Sequence, residues 1–369
     1  MEPRDADRRD AALLRVLDAV GEARARRDPL EIRGGGTKGF YGEAPRGRPL
    51  ELGGLAGIVN YEPSELVVTA RAGTPLAELE GALAARGQML AFEPPRFAPG
   101  GTVGGMVAAG LSGPARAASG SVRDYVLGAT ILAGRGEIMT FGGQVIKNVA
   151  GYDVSRVLAG SWGVLGVILE VSLKVVPSRA ATATLIIDCG ADEARARLKS
   201  LGKRPWPLTA SAWFRGRLYL RFAGARAAVD LACRDANAAA LDPDAAAAWW
   251  AGLRDHGHEF FRPEAAALAR GESLWRLSLP ATADLPDLGG EQCIEWNGAL
   301  RWWRGGAAPE KIRAAAAAAG GHATLVRAAD KSAGAFAPLP ASLMRIHRRL
   351  QEAFDPDGIF NPGRLYAGW

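Results

Sequence analysis

The sequence predicts an α+β protein of two domains. A chain of 369 residues exceeds what one hydrophobic core ordinarily organises. Short apolar strands punctuated by Gly and Pro alternate irregularly with helical stretches, without the regular strand–helix repeat of a parallel sheet. The character of the chain changes after the apolar run 164–176, which Pro177 closes. We therefore expect a first domain over 1–178, a smaller α+β domain over 179–340 with an antiparallel sheet and helices on one face, and a C-terminal segment over 341–369.

Residues 6–27 predict a helix, with Ala12, Leu13, Val16, Leu17 and Val20 at helical spacing, broken at Asp28-Pro29. Strands follow at 50–52, 57–61 and 66–71. Thr74 is the expected N-cap of the next helix, with Pro75 at its first position, Leu76, Leu79 and Leu83 on one face and Gly87 as its stop. The proline-rich stretch 93–99 reads as an ordered linker. Strands at 126–132 and 137–141, a short helix at 153–158 and the long strand 164–176 complete the first domain. In the second, strands are expected at 182–187, 212–214, 218–222, 274–279, 294–303 and 323–327, with a hairpin turn at Arg215-Gly216. Ala-rich helices are expected at about 224–240 and 309–319. Residues 342–354 predict the last helix.

The run from Pro99 to Asp124 holds seven glycines and no acidic residue before its last position. So little side-chain bulk cannot build a core, so the run is expected to lie against a large ligand that needs bare backbone, a flavin dinucleotide. A pyrophosphate needs several donors at close range, and backbone N–H groups supply them where no Cβ blocks the approach. Arg33-Gly34-Gly35-Gly36-Thr37-Lys38 offers three such amides, a hydroxyl and two flanking cations; a flexible hairpin loop is the plainer alternative. Neither the G-x-G-x-x-G dinucleotide fingerprint nor a P-loop fits, so another fold would hold the ligand. After the tight turn Pro99-Gly100-Gly101-Thr102, a short helix over 103–109 presents Gly104, Gly105, Ala108 and Ala109 as a nearly flat side. That side suits either a planar isoalloxazine or tight helix packing.

Arg33 to Lys38, then 66–87, Pro99 to Gly105, Ser119-Gly120-Ser121-Val122-Arg123-Asp124 and Gly160 to Ile168 occur in an order and spacing that resemble the FAD-binding domain of the vanillyl-alcohol oxidase and p-cresol methylhydroxylase (PCMH) superfamily. Lys147-Asn148-Val149-Ala150-Gly151-Tyr152-Asp153 and the terminal run from Phe354 to Gly363 resemble the branch with glycolate oxidase and D-lactate dehydrogenases. The short length and Glu295-Trp296-Asn297-Gly298-Ala299 resemble most the family of FAD-binding E subunits of bacterial glycolate oxidases. The likeness is strong over about 30–177 and 342–366 and weak between.

That resemblance implies a PCMH-type FAD-binding domain of two small lobes, with the C-terminal segment returning to it. Gly34, Gly35 and Gly36 with Gly100, Gly101 and Thr102 would face the pyrophosphate, and Gly163, Gly166 and the backbone of Ile168 the adenosine half. Ser112 and Gly113 would approach the flavin, and Asn361 would close the site. Arg33, Thr37, Lys38, Pro99, Gly105 and Ser119 belong to the same candidate set. Where relatives commonly read Gly-Ser-Glu-Gly-Thr-Leu-Gly this chain has Gly160-Ser161-Trp162-Gly163-Val164-Leu165-Gly166, which removes the acid and the hydroxyl. Covalent members attach the flavin through a histidine or cysteine near the cofactor loops. The histidines here are His256, His258, His322 and His347, and no cysteine precedes Cys189, which implies noncovalent FAD.

Catalytic members carry a Gly-His-x-Gly-Asp-Gly-Asn-x-His motif that is absent here, so neither a base nor a carboxylate clamp can be assigned. His256-Gly257-His258-Glu259 offers metal-ligand types, but a solvated turn explains them as well, and no metal is expected. The resemblance implies an FAD-binding subunit of a multi-subunit glycolate oxidase or dehydrogenase, working with a histidine-bearing catalytic flavoprotein subunit and an iron–sulfur subunit. The alternatives are a self-sufficient FAD-dependent 2-hydroxy acid dehydrogenase and a scaffold with a decayed flavin site. Eight tryptophans between residues 200 and 340 include the pair Trp302-Trp303. Strand neighbours face opposite sides, so one of the pair is expected outward, at a subunit interface.

Composition sets the remaining bounds. A net charge of +6 comes with interspersed acids, which argues against nucleic acid as a partner. Three scattered cysteines outline neither a disulfide framework nor an iron–sulfur site and suit a reducing compartment. With no secretory signal and no apolar run of about 18 residues, we expect a cytoplasmic protein, or one held at the inner membrane through a partner, without direct insertion.

Overall fold

The computed structural model describes residues 3–143, 153–284 and 287–369. Lys147 to Tyr152, most of one motif noted above, lie outside the described residues. The N-terminal helix Pro3–Arg26 sets Val16, Val20 and Ala23 against Leu30, Leu50 and Leu52. Strand Leu30–Arg33 pairs in parallel with Arg48–Glu51, and Phe360 of the C-terminal segment bridges to Leu30. Beside this pair stands a five-stranded antiparallel sheet in the order Ile58–Glu62, Val67–Arg71, Val167–Lys174, Val126–Leu132, Ile138–Gly142. Helices Leu76–Ala84 and Val103–Ala109 share a core with it, in which Leu79, Met106 and Val107 meet Val68, Ile131 and Val171.

The capping expectation needs correction. Pro75 stands at the N-cap and the helix begins at Leu76. Thr74 is fully buried and its hydroxyl serves another segment, accepting from Gly57 N (2.9 Å) and donating to Gly57 O (3.1 Å). Thr102 is the residue that caps, accepting from Gly105 N at 3.2 Å.

The second half builds an eight-stranded antiparallel sheet: Ala239–Ala240, Ala181–Asp188, Arg217–Gly224, Leu208–Phe214, Glu291–Glu295, Leu300–Gly305, Ser273–Ser278, His322–Arg327. Arg215 and Gly216 make the expected two-residue hairpin turn, both at positive φ (47° and 79°). The single strand expected at 294–303 is two strands paired with each other. Asn297-Gly298, a hairpin-turn dipeptide, turns the chain between them. Helices Ala191–Leu201, Pro243–Arg254 and Ala265–Ala269 occupy stretches where the pattern showed no element.

Neither Trp302 nor Trp303 points to solvent; they are 5% and 4% exposed. The strand does turn them to opposite faces, but both faces are covered. Trp303 packs with Ile312 and Ala316 of helix Pro309–Ala318, whereas Trp302 faces Phe261 and His256 in a cluster that crosses to Tyr41 and Trp162 of the first half. Periodicity told the two faces apart but not what covered them. The seam between the halves also carries Trp296 Nε1 donating to Gly113 O (3.0 Å) and an Arg221–Glu93 ion pair at 2.8 Å.

After helix Ala341–Phe354, Asp355 accepts from the N–H of Ile359 (3.2 Å) and Phe360 (2.8 Å), turning the chain back on itself. Leu30 N then donates to Ile359 O (2.7 Å) and Asn361 N to Leu30 O (2.9 Å). Among the described residues no helix is long and apolar enough to cross a membrane. Phe360 is fully buried against Leu30 and Val20. Phe360→Ala is expected to cost about 3–5 kcal/mol in a urea unfolding series. Leu343→Ala, at an exposed helix position, is expected to stay within about 0.5 kcal/mol of the parent.

Candidate functional site

A cavity of about 610 Å³ lies where strand Leu30–Arg33, helix Val103–Ala109, the turn into strand Val167–Lys174 and the C-terminal segment converge. Its size suits a cofactor-sized ligand. Arg33, Gly34, Gly35, Gly36, Thr37 and Lys38 all line it, as do Thr102, Gly105, Gly163, Gly166, Ile168 and Asn361. The flat side of the short helix faces it as expected, through Gly104, Gly105, Ala108 and Ala109.

The bare backbone serves two purposes. A Cβ on Gly35 would overlap the carbonyl of Gly100, so the two glycine loops touch each other as well as the space between. A Cβ on Gly104 would come within 2.6 Å of the Ala72 side chain. Much of the glycine content in 99–124 therefore serves close packing, which narrows the expectation that it all faces a ligand. Pro99, Gly100 and Gly101 stand outside the wall, with Gly101 O accepting from Leu76 N at 2.8 Å. Ser112 and Gly113 lie past the helix end, in the seam between the halves, and line a separate enclosed space of about 20 Å³. Ser119 faces a third, open groove with Tyr125 and Arg179.

Asn361 ties the walls together. It is 7% exposed; its Oδ1 accepts from Ile32 N (2.7 Å) and its Nδ2 donates to Trp162 O (2.6 Å). A side chain on Gly163, whose φ is +78°, would sit 2.5 Å from that amide nitrogen. Trp162, read from sequence as the loss of an acid, forms wall instead. It stacks on Tyr41 (5.3 Å between ring centroids, planes 12° apart), and Arg364 lies over its ring at 5.0 Å. Ile168 sits opposite Ile131 where the strand register shifts, which opens the ladder beside the cavity.

The electrostatics are uneven. Of the two cations flanking the first loop, Arg33 is neutralised: it donates to both oxygens of Glu31 (2.9 and 2.8 Å) and lies 3.5 Å from Glu51. Those are the two carboxylates of the wall. Lys38 has no carboxylate within ion-pair distance; burial pushes its pKa down to about 8, with the more distant Asp255 opposing. Arg364 is pushed down to about 10, again by burial. It is a wall residue that sequence reasoning missed, and only its place three residues after Asn361 hinted at it.

The smaller space in the seam holds Glu295, His256 and Arg276. Burial pushes Glu295 up to about 7 although Trp302 Nε1 donates to it at 2.7 Å. His256 is buried with an unpartnered Nδ1 and is held neutral by burial and by Arg327, Arg276 and Arg262. His258 is engaged elsewhere, its Nε2 2.9 Å from Trp249 O. Among the described residues no group of three or more His, Cys, Asp or Glu side chains is placed to hold a metal. The wall of the larger cavity contains neither histidine nor cysteine.

Comparison with known proteins agrees with this geometry. Residues 14–142 match the model of a family described as an FAD binding domain. The chain is 44% identical to the glycolate oxidase subunit GlcE of Escherichia coli strain K12, over 95% of this chain and 97% of that protein. It is 30% identical to the glycolate oxidase subunit GlcD of Bacillus subtilis strain 168 over 50% of this chain and 38% of that one. A D-lactate dehydrogenase of Anaerostipes hadrus is 36% identical over 35% of this chain and 27% of its own length. Among solved structures, an alkyldihydroxyacetonephosphate synthase superposes with a TM-score of 0.65 at 15% identity, covering 94% of this chain and 75% of that one, a likeness of fold.

Two outcomes follow from this site. Gly35→Ala forces the glycine loops apart and is expected to weaken FAD uptake at least about tenfold in a fluorescence titration. Lys38 loses its proton in the ligand-free protein as pH rises through about 8. A diphosphate then binds only with proton uptake, so FAD affinity is expected to be level below pH 8 and to fall by up to about tenfold per pH unit above it. In Lys38→Met the affinity is lower at pH 7 and this dependence is gone.

Proposed function

The chain belongs to the family of the glycolate oxidase subunit GlcE, and from that premise we propose that it is the FAD-binding subunit of a multi-subunit glycolate oxidase or dehydrogenase that converts a 2-hydroxy acid to a 2-oxo acid. The observation that carries this is the cavity itself: two glycine loops in contact, a flat helix side and two cations without carboxylate partners, a donor set that fits an anionic dinucleotide. When bound, FAD supplies a two-electron acceptor. The chain's own residues hold and orient it. The loop amides and Lys38 meet the diphosphate, the flat helix side accepts a planar ring, and Asn361 fixes the distance between opposite walls. With neither histidine nor cysteine in the wall, the cofactor is held noncovalently.

In this proposal the substrate-oxidising site resides on a companion flavoprotein subunit, and an iron–sulfur subunit takes the electrons onward. The FAD of this chain relays electrons or stabilises the assembly. The working division is an FAD-binding part over 1–178, a second part over 179–340 and a closing segment over 341–369. The protein is cytoplasmic or sits at the inner membrane through a partner.

One observation favours a self-sufficient dehydrogenase. The seam places a buried carboxyl and a histidine, types that can take a proton, beside Arg276, which forms no ion pair. The space of about 20 Å³ has room for little more than one water molecule, however, and is too small for a hydroxy acid. The purified chain is expected to be yellow and to stay unbleached when glycolate or D-lactate is added anaerobically, and to bleach once its companion subunits are co-purified. Bleaching of the chain alone would establish the self-sufficient reading, and a colourless protein that takes up no FAD would remove both.

A further inference from the structure

We propose that Arg364 is the cation of the C-terminal segment that binds the FAD diphosphate, so that the return of this segment makes the site selective for phosphorylated over unphosphorylated flavin. This inference rests on the reading of the cavity as an FAD site.

Arg364 is 6% exposed and lines the cavity. One of its terminal nitrogens donates to Glu43 O and the other to Lys38 O (3.1 Å). A guanidinium carries five N–H donors, and these two bonds leave the rest for a ligand. Its guanidinium carbon lies over the Trp162 ring, 5.0 Å from the centroid. Carbonyl oxygens satisfy N–H groups but do not cancel a full charge, and a buried charge without a counterion is unfavourable. Two half-buried arginines have carboxylate partners: Arg221 has Glu93 at 2.8 Å and Arg254 has Asp255 at 2.6 Å. Arg301 and Arg313 are also held by carbonyls alone, but neither reaches the cavity.

The charge count of the wall points the same way. Its two carboxylates, Glu31 and Glu51, are engaged by Arg33, and among the described residues neither Lys38 nor Arg364 has a carboxylate within ion-pair distance; Glu31 and Glu43 act on Arg364, and Asp255 on Lys38, only from farther off. A dinucleotide diphosphate carries two negative charges. Arg364 also holds the backbone carbonyl of Lys38, which ties the loop that carries the lysine to the C-terminal segment. A planar guanidinium with several aligned donors suits bidentate contact with phosphate oxygens. Lys331 donates to Phe40 O (2.6 Å) and Gly42 O (3.3 Å), steadying the same loop from outside the cavity, and so provides a control.

The test uses the full chain stripped of flavin, titrated with FAD, ADP and riboflavin, with thermal unfolding of each ligand-free variant alongside. For Arg364→Met, affinity for FAD and for ADP is expected to fall roughly 10- to 100-fold, while riboflavin affinity stays within about twofold. Arg364→Lys, which keeps the charge without the planar fork, is expected to recover only part of the loss, and Lys331→Met to lower thermal stability without changing the FAD-to-riboflavin ratio. Arg364→Gln keeps a carbonyl-directed donor without the charge and carries the same comparison if the Met variant does not fold. An Arg364→Met protein that binds FAD and ADP like the parent overturns the inference while leaving the FAD reading intact. Equal losses for riboflavin and ADP also overturn it, because Arg364 would then act through the loop or the ring. A parent that binds none of the three ligands removes the FAD reading and this inference together.

Discussion

The cavity depends on a buried side-chain amide. Asn361 accepts from the backbone of Ile32 and donates to the backbone of Trp162. It thereby spans two segments that are far apart in sequence and share no sheet ladder. Without that bridge nothing local fixes the gap between the first glycine loop and the wall at 162–168. An amide suits this place because it offers a donor and an acceptor from one rigid plane. Removing it would leave a buried N–H and a buried C=O unpaired, which costs more than the bond itself contributes. The returning backbone adds to the hold, since Leu30 exchanges hydrogen bonds with Ile359 and Asn361. The C-terminal segment is thus part of the site's frame as well as its lid.

The same frame is electrostatically unfinished. Two cations reach the cavity without carboxylate partners, while the acids in its wall are engaged by Arg33. Burial lowers the pKa of both Lys38 and Arg364, which means the ligand-free fold carries them at a cost. An anionic ligand offsets that cost, so affinity and stability are linked at this site. The flavin-binding capacity of the protein therefore rests on a compromise in the stability of its ligand-free form.

The second sheet does different work. Its inner face meets the first half through Trp296, Trp302 and Phe261, and the seam is largely aromatic, with a polar group around Glu295, His256 and Arg276. That polar group lines a space of about 20 Å³. Of the pair that looked like an outer interface, Trp302 joins the two halves and Trp303 anchors helix Pro309–Ala318.

By itself the sequence determined the elements with strong local signals. The apolar strands of both sheets, the Arg215-Gly216 turn, the short helix with a flat side and the glycine loops all follow from period, turn chemistry and missing Cβ atoms. Tertiary structure decided what depends on partners distant along the chain. Thr74 surrendered its cap because Gly57 offered its buried hydroxyl both a donor and an acceptor. Trp302 and Trp303 were both buried because a helix and the first half covered the two faces of one strand. Gly113 turned from the cavity against the backbone of Glu93, and Gly100 presents its carbonyl to Gly35 and stands outside the wall. Arg364 entered the wall because Asp355 turned the chain back and Trp162 gave its guanidinium a surface to lie on. Local pattern records which residues lack bulk or carry charge, whereas the fold decides what each of them faces.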